Sequence, residues 1–257
     1  MPYQPIDELR IEHRGPVALV TMNNPESRNA FSDEMHVAMR EVWEHLALDA
    51  SVRTLVLTGA GRAFSAGGNI PGFIRDFEDP QRRRETLRHA RRLLEAMAEC
   101  PKPVIAAVNG PAVGLGCSVA VSCDVVFMAE GTFMADTHVN VGLVAGDGGT
   151  AIWPLLTSLL KAKYYLLTGD RIPAADCVEL GLANFAVPDV EVVDRALELA
   201  ERLARQPQQA LEETKRALSL HVQRAVQLVA PFALAAESES FHTEEVRRTV
   251  EEFKKGG

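Results

Sequence analysis

The sequence predicts an α/β fold whose C-terminal part is helical, and three observations support this prediction. Apolar, strand-like runs alternate with helix-like segments between residues 52 and 129. Each crossover is long enough for a right-handed parallel β-α-β unit. From Val190 onward, only helix-like segments follow one another. We therefore expect residues 1–190 to form an α/β core and residues 191–257 to form a helical oligomerisation region.

The composition of the chain argues against several classes of function. The chain has 257 residues, 47% apolar and 24% charged, which suffices for a sizeable core. The net charge of −8 argues against a nucleic-acid binder, which usually presents a basic face. The four cysteines lack a paired metal-binding spacing, so we expect buried thiols in a reducing compartment and no metal site. The polar N-terminus and the lack of an apolar run of about 20 residues predict a cytoplasmic protein without a membrane span.

The N-terminal elements follow from turn and capping residues. Two strands, Leu9–His13 and Val17–Met22, flank a turn at Gly15. Ser32 is expected to cap a helix, with two acidic residues in the first turn. The apolar stripe of that helix consists of Met35, Met39, Val42 and Leu46. The next strand, Val52–Thr58, is apolar enough to be buried on both faces.

An arginine-rich helix comes next. Pro71–Pro80 is predicted to be a loop, and Gln81–Cys100 a helix that ends before Pro101. One side of that helix carries Arg82, Arg83, Arg84, Arg88, Arg91 and Arg92. This side is either a solvated face or a positive lip for a phosphate-bearing ligand. RNA contact is a weaker alternative, because the whole chain is acidic.

The same sequence signals predict the remaining elements. They are a strand at Val104–Val108, a short helix at Gly114–Ser122, a strand at Asp124–Ala129, a loop-rich segment at Gly131–Thr150, two helical pieces within Ile152–Thr168, a helix at Ala174–Leu180 and a strand at Phe185–Val187. Four helices follow, at Val192–Ala204, Gln208–Leu220, Val222–Ser240 and Thr243–Lys255. Their apolar residues must pack on the body or on another subunit.

Two glycine-rich turns are the first candidates for a functional site. Gly61–Ile70 and Asn109–Asp124 each follow an apolar strand and lead toward a helix. Glycine lets a ligand approach the backbone, and amides at such an end lack a regular partner. Two amides that converge on one oxygen would stabilise an enolate. Such turns also occur for structural reasons alone, so both interpretations stay open.

A series of motifs covers nearly the whole chain in a characteristic order. They are Asn24-Pro25, Arg28-Asn29-Ala30-Phe31-Ser32, Gly61–Ile70, Lys102–Gly110, Ala112–Gly116, Cys123-Asp124, Thr168-Gly169-Asp170 and Gly181-Leu182. In these motifs the sequence resembles the crotonase, or enoyl-CoA hydratase/isomerase, family. The resemblance implies a β-β-α superhelix of the ClpP/crotonase fold with a C-terminal helical trimerisation region. It also implies a homotrimer or a dimer of trimers.

The resemblance further implies an acyl-CoA enzyme that needs no cofactor, since coenzyme A is part of the substrate. The amides of Gly68 and Leu115 match the family's oxyanion hole. The positions implied to contact the ligand are Arg28, Ala30, Ala66, Gly67, Asn69, Ile70, Gly114 and Ser118, with Phe253 and Lys254 where the family's neighbouring subunit touches CoA.

The acid and base groups depart from the family's pattern. Its hydratases use two glutamates, and the matching positions carry Ser118 and His138. A histidine can transfer protons near neutral pH, whereas a lone hydroxyl cannot. Asp136 and Asp147 lie in the same segment and are also candidates for catalysis, Asp136 by orienting the histidine. The structural alternatives are a helix cap at Asp147, a local pair at Asp136 and a pocket histidine at His138.

The expected function is that of an enoyl-CoA hydratase or isomerase. Hydration should be weak because both glutamates are missing. A single proton-transfer group fits isomerisation, hydrolysis or a specialised lyase reaction better. The alternative is a non-catalytic trimer that binds CoA, RNA or another partner.

Overall fold

The computed structural model describes residues 4–255, and its centre is a six-stranded sheet. The strands in chain order are β1 (Leu9–Arg14), β2 (Val17–Met22), β3 (Thr54–Gly59), β4 (Val104–Val108), β5 (Ala112–Val113), β6 (Val125–Ala129), β7 (Phe133–Ala135), β8 (Ile172–Pro173) and β9 (Phe185–Val187). The large sheet has the order β1-β2-β3-β4-β6-β9, and β5, β7 and β8 form a small second sheet. Only β1 runs antiparallel to its neighbour in the large sheet.

Ten α-helices surround the sheets in the part of the chain from residue 4 to residue 255. They are α1 (Asp33–Leu48), α2 (Ile70–Glu78), α3 (Pro80–Glu99), α4 (Leu115–Val121), α5 (Gly149–Leu156), α6 (Leu159–Thr168), α7 (Ala174–Leu180), α8 (Val192–Ala204), α9 (Gln208–Ser240) and α10 (Glu244–Lys255). The α/β class and the parallel strand order from residue 52 to 129 are therefore confirmed. No helix of this described part is both long and apolar enough to cross a membrane.

The central strands β3 and β4 of the large sheet are buried on both faces because two layers of helices cover them. On one face, Val56 belongs to a core that includes Ala196 of α8. On the other face, Leu57 belongs to the main core, which includes Trp43 of α1 and Leu93 of α3. Strands buried on both faces read as continuous apolar runs, as seen in the sequence of β3 and β4.

The segment 71–80 was predicted to be a loop, and this prediction is wrong. Most of it forms α2, because Asn69 Oδ1 accepts a hydrogen bond from the Gly72 amide at 2.5 Å. Pro71 lies in the first turn, where its missing N–H costs nothing. Asp79 then caps α3 through the amides of Gln81 and Arg82. Proline and glycine here begin a helix rather than break one.

The two helices predicted at 208–220 and 222–240 are one continuous helix, α9. Pro231 lies inside it without ending it. Buried side chains continue on both sides of the proline, at Val226, Ala230 and Ala233. Packing of α9 on α3 and α5 offsets the lost backbone hydrogen bond. The loop-rich segment 131–150 also contains β7 and a short 3-10 helix, His138–Val141.

Candidate active site

A cavity of about 300 Å³ opens where the two glycine-rich turns meet. From the turns, Gly68, Gly114 and Leu115 line it. From the segment after β7, His138 and Asp147 line it as well. The fold therefore brings two backbone turns and two titratable side chains to one cavity.

The two turns contact each other at Gly67. This residue has φ +84°, and a Cβ there would lie 2.5 Å from Val113 O and 3.3 Å from Leu115 N. The turn is held because the Gly67 amide donates to Ser65 Oγ at 3.1 Å. Leu115 is the first residue of α4, so its amide has no acceptor inside that helix. This approach of the two turns supports the predicted donor pair, Gly68 and Leu115.

His138 lies between two carboxylates. Its Nδ1 is 2.6 Å from Asp136 Oδ1, and its Nε2 is 3.1 Å from Asp147 Oδ2. Ser118 Oγ donates to the other oxygen of Asp147, Oδ1, at 3.0 Å. All four side chains are buried. They form one continuous hydrogen-bonded chain, which we call the relay (Asp136, His138, Asp147 and Ser118).

The relay carries charge at neutral pH. Burial by itself would lower the pKa of His138, but the charges of Asp147 and Asp136 and their hydrogen bonds raise it well above its usual value. Burial by itself would raise the pKa of Asp147, but the His138 charge and the hydrogen bonds from His138 and Ser118 lower it. The favoured resting state is an imidazolium between two carboxylates.

Three residues of the relay carry side chains of the kinds that bind metal ions. Ligand atoms of Asp136, His138 and Asp147 lie within 4.8 Å of one another. However, the two carboxylates bond different nitrogens of the ring, which point away from each other. One ion cannot join both carboxylates through a single imidazole nitrogen in this arrangement. The geometry therefore fits a proton relay better than a metal site.

Three buried titratable residues of the cavity were not predicted from the sequence: Glu237, His36 and Asp76 of α2, whose pKa burial raises to about 6. Glu237 of α9 is buried, and burial raises its pKa to about 8. His36 of α1 is buried next to the Phe31 ring, at 5.2 Å between ring centroids. Glu237 lies in a polar stretch that is typical of an exposed helix end, so it gave no signal. His36 directly follows Met35 of the predicted apolar stripe, and this position next to the stripe could have indicated that His36 is buried.

His36 should make the fold sensitive to acid. Burial lowers its pKa to about 4, with a further lowering by the His89 charge, whereas an unfolded histidine has a pKa of about 6.5. Between these values the unfolded state binds more protons, so stability falls as the pH drops from about 6.5 to 4. We expect His36→Gln to remove a loss of up to about 3 kcal/mol over this range. The free energy of unfolding in urea, compared at pH 7 and pH 4.5 for the wild type and the variant, measures this loss.

The control for this prediction is His221→Gln, at an exposed position of α9. It should leave the pH dependence of unfolding as it is in the wild type. Equal pH dependence in His36→Gln and the wild type would contradict the prediction.

The cavity gathers most of the predicted site residues but not all of them. Those that line it are Ala66, Gly68, Asn69, Ile70, Gly114, Leu115, His138, Asp147 and Phe253. Those outside its lining are Arg28, Ala30, Gly67, Ser118, Asp136 and Lys254. Gly67, Ser118 and Asp136 nevertheless contact residues of the lining. Arg28 is exposed, whereas Ala30 is buried.

The arginine-rich side of α3 is not a uniform solvated face. Arg83 is buried, with its guanidinium 5.1 Å from the Phe241 ring centroid. Arg82 donates to Asp33 Oδ2 at 2.6 Å. Both arginines line the cavity, while Arg84 is among those that stay exposed. A positive lip on the cavity would therefore come from Arg82 and Arg83, at this end of α3.

The C-terminal helix returns to the cavity of its own chain. The ring centroid of Phe253 in α10 lies 5.8 Å from the ring centroid of Phe73 in α2. Lys254 Nζ bonds Glu78 Oε1 at 2.6 Å. The resemblance implied that these positions touch CoA in a neighbouring subunit. Within this chain Phe253 lines the cavity beside α2, whereas Lys254 pairs with Glu78 outside the lining.

Comparisons with known proteins agree with this architecture. The sequence model of the family "Enoyl-CoA hydratase/isomerase" matches residues 12–256. A Thermus thermophilus relative, whose name assigns it to the enoyl-CoA hydratases, is 38% identical over 208 residues, which are 80% of this chain and 81% of the relative. An enoyl-CoA hydratase/isomerase structure from Mycobacterium paratuberculosis is 46% identical, with a TM-score of 0.94, and covers 97% of this chain and 100% of its own.

A third similarity concerns a different reaction. The structure of a β-diketone hydrolase from the cyanobacterium Anabaena, bound to (S)-3-oxocyclohexyl acetic acid, is 28% identical with a TM-score of 0.83. It covers 91% of this chain and 94% of its own. The names of these relatives are those of enzymes, so the non-catalytic alternative is not favoured. The family model matches nearly the entire sequence, and the Mycobacterium paratuberculosis structure shares the fold over 97% of this chain. This chain is therefore an enzyme of the enoyl-CoA hydratase/isomerase family.

Proposed function

We propose that this enzyme binds an acyl-CoA thioester and transfers a proton at the carbon next to the thioester carbonyl. The carbonyl oxygen is held by the amides of Gly68 and Leu115, which stabilise the enolate. The observation that carries this proposal is the relay, whose His138 and Asp147 line the same cavity as both amides.

Asp147 is the group that exchanges the proton with the substrate. Both nitrogens of His138 are already engaged by carboxylates. The Asp147 oxygens each accept one hydrogen bond and keep a further lone pair. Asp136 does not line the cavity and acts as a positioning residue that fixes the ring of His138. When Asp147 takes a proton, the His138 imidazolium, which is already protonated on both nitrogens, can pass its Nδ1 proton to Asp136.

The remaining features of the proposal follow the family. Coenzyme A is the part of the substrate that the enzyme binds besides the acyl group, and no separate cofactor is needed. The CoA moiety extends past Ala66 and Ile70 toward Arg28. Helices α8 to α10 contribute to a trimer or a dimer of trimers. Hydration of a simple enoyl-CoA stays weak, because Ser118 and His138 occupy the positions of the hydratase glutamates.

A second candidate is the hydrolysis of a carbon–carbon bond in a 1,3-dicarbonyl compound, supported by the similarity to the β-diketone hydrolase. Water adds to one carbonyl carbon, and the bond from that carbon to the α-carbon breaks. The electron pair forms the enolate of the other fragment. One proton of the water ends on the α-carbon and the other stays with the carboxylic acid. The same relay would activate the water, and the same amides would hold the enolate.

One set of assays tests both candidates. NMR in D₂O follows loss of the α-proton signal of butanoyl-CoA, and cyclohexane-1,3-dione reports carbon–carbon hydrolysis. We expect the wild type to catalyse at least the exchange, and His138→Gln to slow it about 10²- to 10⁴-fold. A wild type without exchange on short, long or aromatic acyl groups, and without hydrolysis, would contradict an enolate enzyme. Crotonyl-CoA hydration at about 10²–10³ s⁻¹ would contradict the proposal that hydration is weak without the two glutamates.

A further inference from the structure

Arg83 is a buried arginine of the cavity whose charge has no acidic partner in the described part of the chain. It belongs to α3, its residue is only 4% exposed, and it lines the cavity. Within residues 4–255, the one hydrogen bond of its side chain joins Nη2 to His242 Nε2 at 3.0 Å. An imidazole nitrogen can accept that bond, but it brings no negative charge. The guanidinium is therefore held in place without being neutralised.

The neighbouring Arg82 shows how an arginine of this cavity is neutralised by the protein itself. Its guanidinium donates to Asp33 at 2.6 Å, and its Nε lies 3.1 Å from Asp76 Oδ1. Arg83 instead packs on the Phe241 ring, with 5.1 Å between the guanidinium carbon and the ring centroid. An aromatic face attracts a cation, but a buried charge without an anion remains costly. A negatively charged ligand group would remove that cost.

The guanidinium of Arg83 stays charged and can still donate hydrogen bonds. Burial and the Arg84 charge lower its pKa, and the charges of Glu239 and Asp76 oppose this shift. An arginine nonetheless stays protonated in proteins. Its Nε is buried without a partner, whereas Nη1 is neither sealed in this way nor hydrogen-bonded among the described residues. Nη1 is therefore the atom that a ligand in the cavity can reach.

Arg83 lies on the side of the cavity that also holds the acid and base groups. Phe241, on which it packs, follows Glu237 by four residues, which is about 6 Å along a helix. The Glu237 carboxyl group packs against Gly146, the residue directly before Asp147 of the relay. Arg83 is thus about one helix turn away from the carboxyl group beside the relay. A short acyl chain whose α-carbon lies at the relay can span this distance.

We propose that Arg83 binds a terminal carboxylate of the acyl group, so that the enzyme selects CoA thioesters of dicarboxylic acids. This inference rests on the proposed function, because the two amides that hold the thioester oxygen fix the point from which the acyl chain extends. Hydrogen bonds between two charged groups are about twice as strong as neutral ones. A site built for such a bond also discriminates against analogues that leave its own group unpaired. Arg83 is thus a specificity-determining residue.

A phosphate of coenzyme A would carry the same kind of charge. In the proposed binding mode, however, the CoA moiety passes Ala66 and Ile70 and leads to Arg28, which is exposed. Arg83 is buried beside Phe241 instead. A phosphate at Arg83 would also affect every CoA thioester and free CoA equally, whereas an acyl carboxylate affects only the thioesters that carry one. The two sources of charge are therefore distinguishable by binding.

The test compares each dicarboxylic thioester with its terminal amide, which has nearly the same size and no charge. The ligands are glutaryl-, adipoyl- and pimeloyl-CoA and the three corresponding amides. Stopped-flow displacement of a fluorescent CoA analogue, read before turnover, gives the dissociation constants. We expect the wild type to bind at least one carboxylate about 10-fold or more tightly than its amide. Arg83→Met should bring this ratio near one, and Arg83→Lys should keep part of it, because lysine retains the charge without the planar fork.

The ratio is independent of the amount of folded protein, so partial unfolding of a variant does not imitate the effect. Arg84→Met is the matched control, since Arg84 is the next residue of α3 and is exposed. It should keep the wild-type ratio. Wild-type ratios near one for all three chain lengths, or an unchanged ratio in Arg83→Met, would overturn the proposal. An equal loss of affinity for carboxylates, amides and free CoA in Arg83→Met would overturn it as well, and would assign Arg83 to a phosphate.

The proposed proton transfer has a separate readout in the butanoyl-CoA exchange assay, since butanoyl-CoA has no terminal carboxylate. A wild type without exchange but with the expected binding ratio would contradict the proton transfer alone. A wild type with exchange but with ratios near one would contradict the role of Arg83 alone.

Discussion

We expect Asp147→Asn to slow α-proton exchange on an acyl-CoA by about 10³- to 10⁴-fold. The substitution keeps the size of the side chain and removes its ability to accept a proton. It also removes the negative charge that keeps His138 protonated through its Nε2. The variant therefore loses the base and changes the charge state of the relay together. Exchange rates by NMR at saturating butanoyl-CoA measure the loss in kcat.

Ser118→Ala is the control for this prediction. It removes only the hydrogen bond from Ser118 Oγ to Asp147 Oδ1, so its effect should stay within about 10-fold. Thermal unfolding of both variants separates a lost base from a lost fold. If Asp147→Asn retained more than a tenth of the wild-type rate, another group would be the base.

Those features of the fold and of the site that depend on residues close together in the sequence could be predicted from the sequence. The Ser32 cap of α1 and the C-terminal Gly181 of α7 follow from single residues and their spacing. His138 and Asp147 occur within one short segment, so their association needed no knowledge of the fold. The glycine-rich turns were found for the same reason, because a close backbone approach leaves glycines in the sequence.

The parts that depend on tertiary packing could not be predicted. Glu237 reaches the cavity only because α9 continues across Pro231, and that continuity comes from burial against α3 and α5. If the helix is instead divided in two, the sequence no longer indicates which face of α9 Glu237 lies on. The protonation state of Glu237 also depends on charges from a distant segment. The helix α2 was missed because Asn69 acts as its cap, which its sequence neighbours Gly67 and Gly68 obscured.

We expect Gly67→Ala to lower kcat about 10²- to 10³-fold, as the loss of one oxyanion donor does in other enzymes. An added Cβ would meet Val113 O at 2.5 Å, which forces the two turns apart. Leu115 N lies beside the same point, at 3.3 Å from the Cβ position. The amides of Gly68 and Leu115 would then no longer converge on one oxygen, and a misplacement of about 1 Å is enough for a 10²-fold loss. The α-proton exchange assay measures this loss.

The variant should also be less stable, because φ +84° at residue 67 suits glycine and strains alanine by about 1–2 kcal/mol. Gly15→Ala separates the two effects. Gly15 has φ +59° with no atom within 4 Å of an added Cβ, and it lies in the turn between β1 and β2. It should lose only the backbone-strain part of this stability, about 1–2 kcal/mol, and keep the wild-type exchange rate. A Gly67→Ala enzyme with the stability loss but a kcat within about threefold of the wild type would contradict the oxyanion role, since its turns would then touch for structural reasons only.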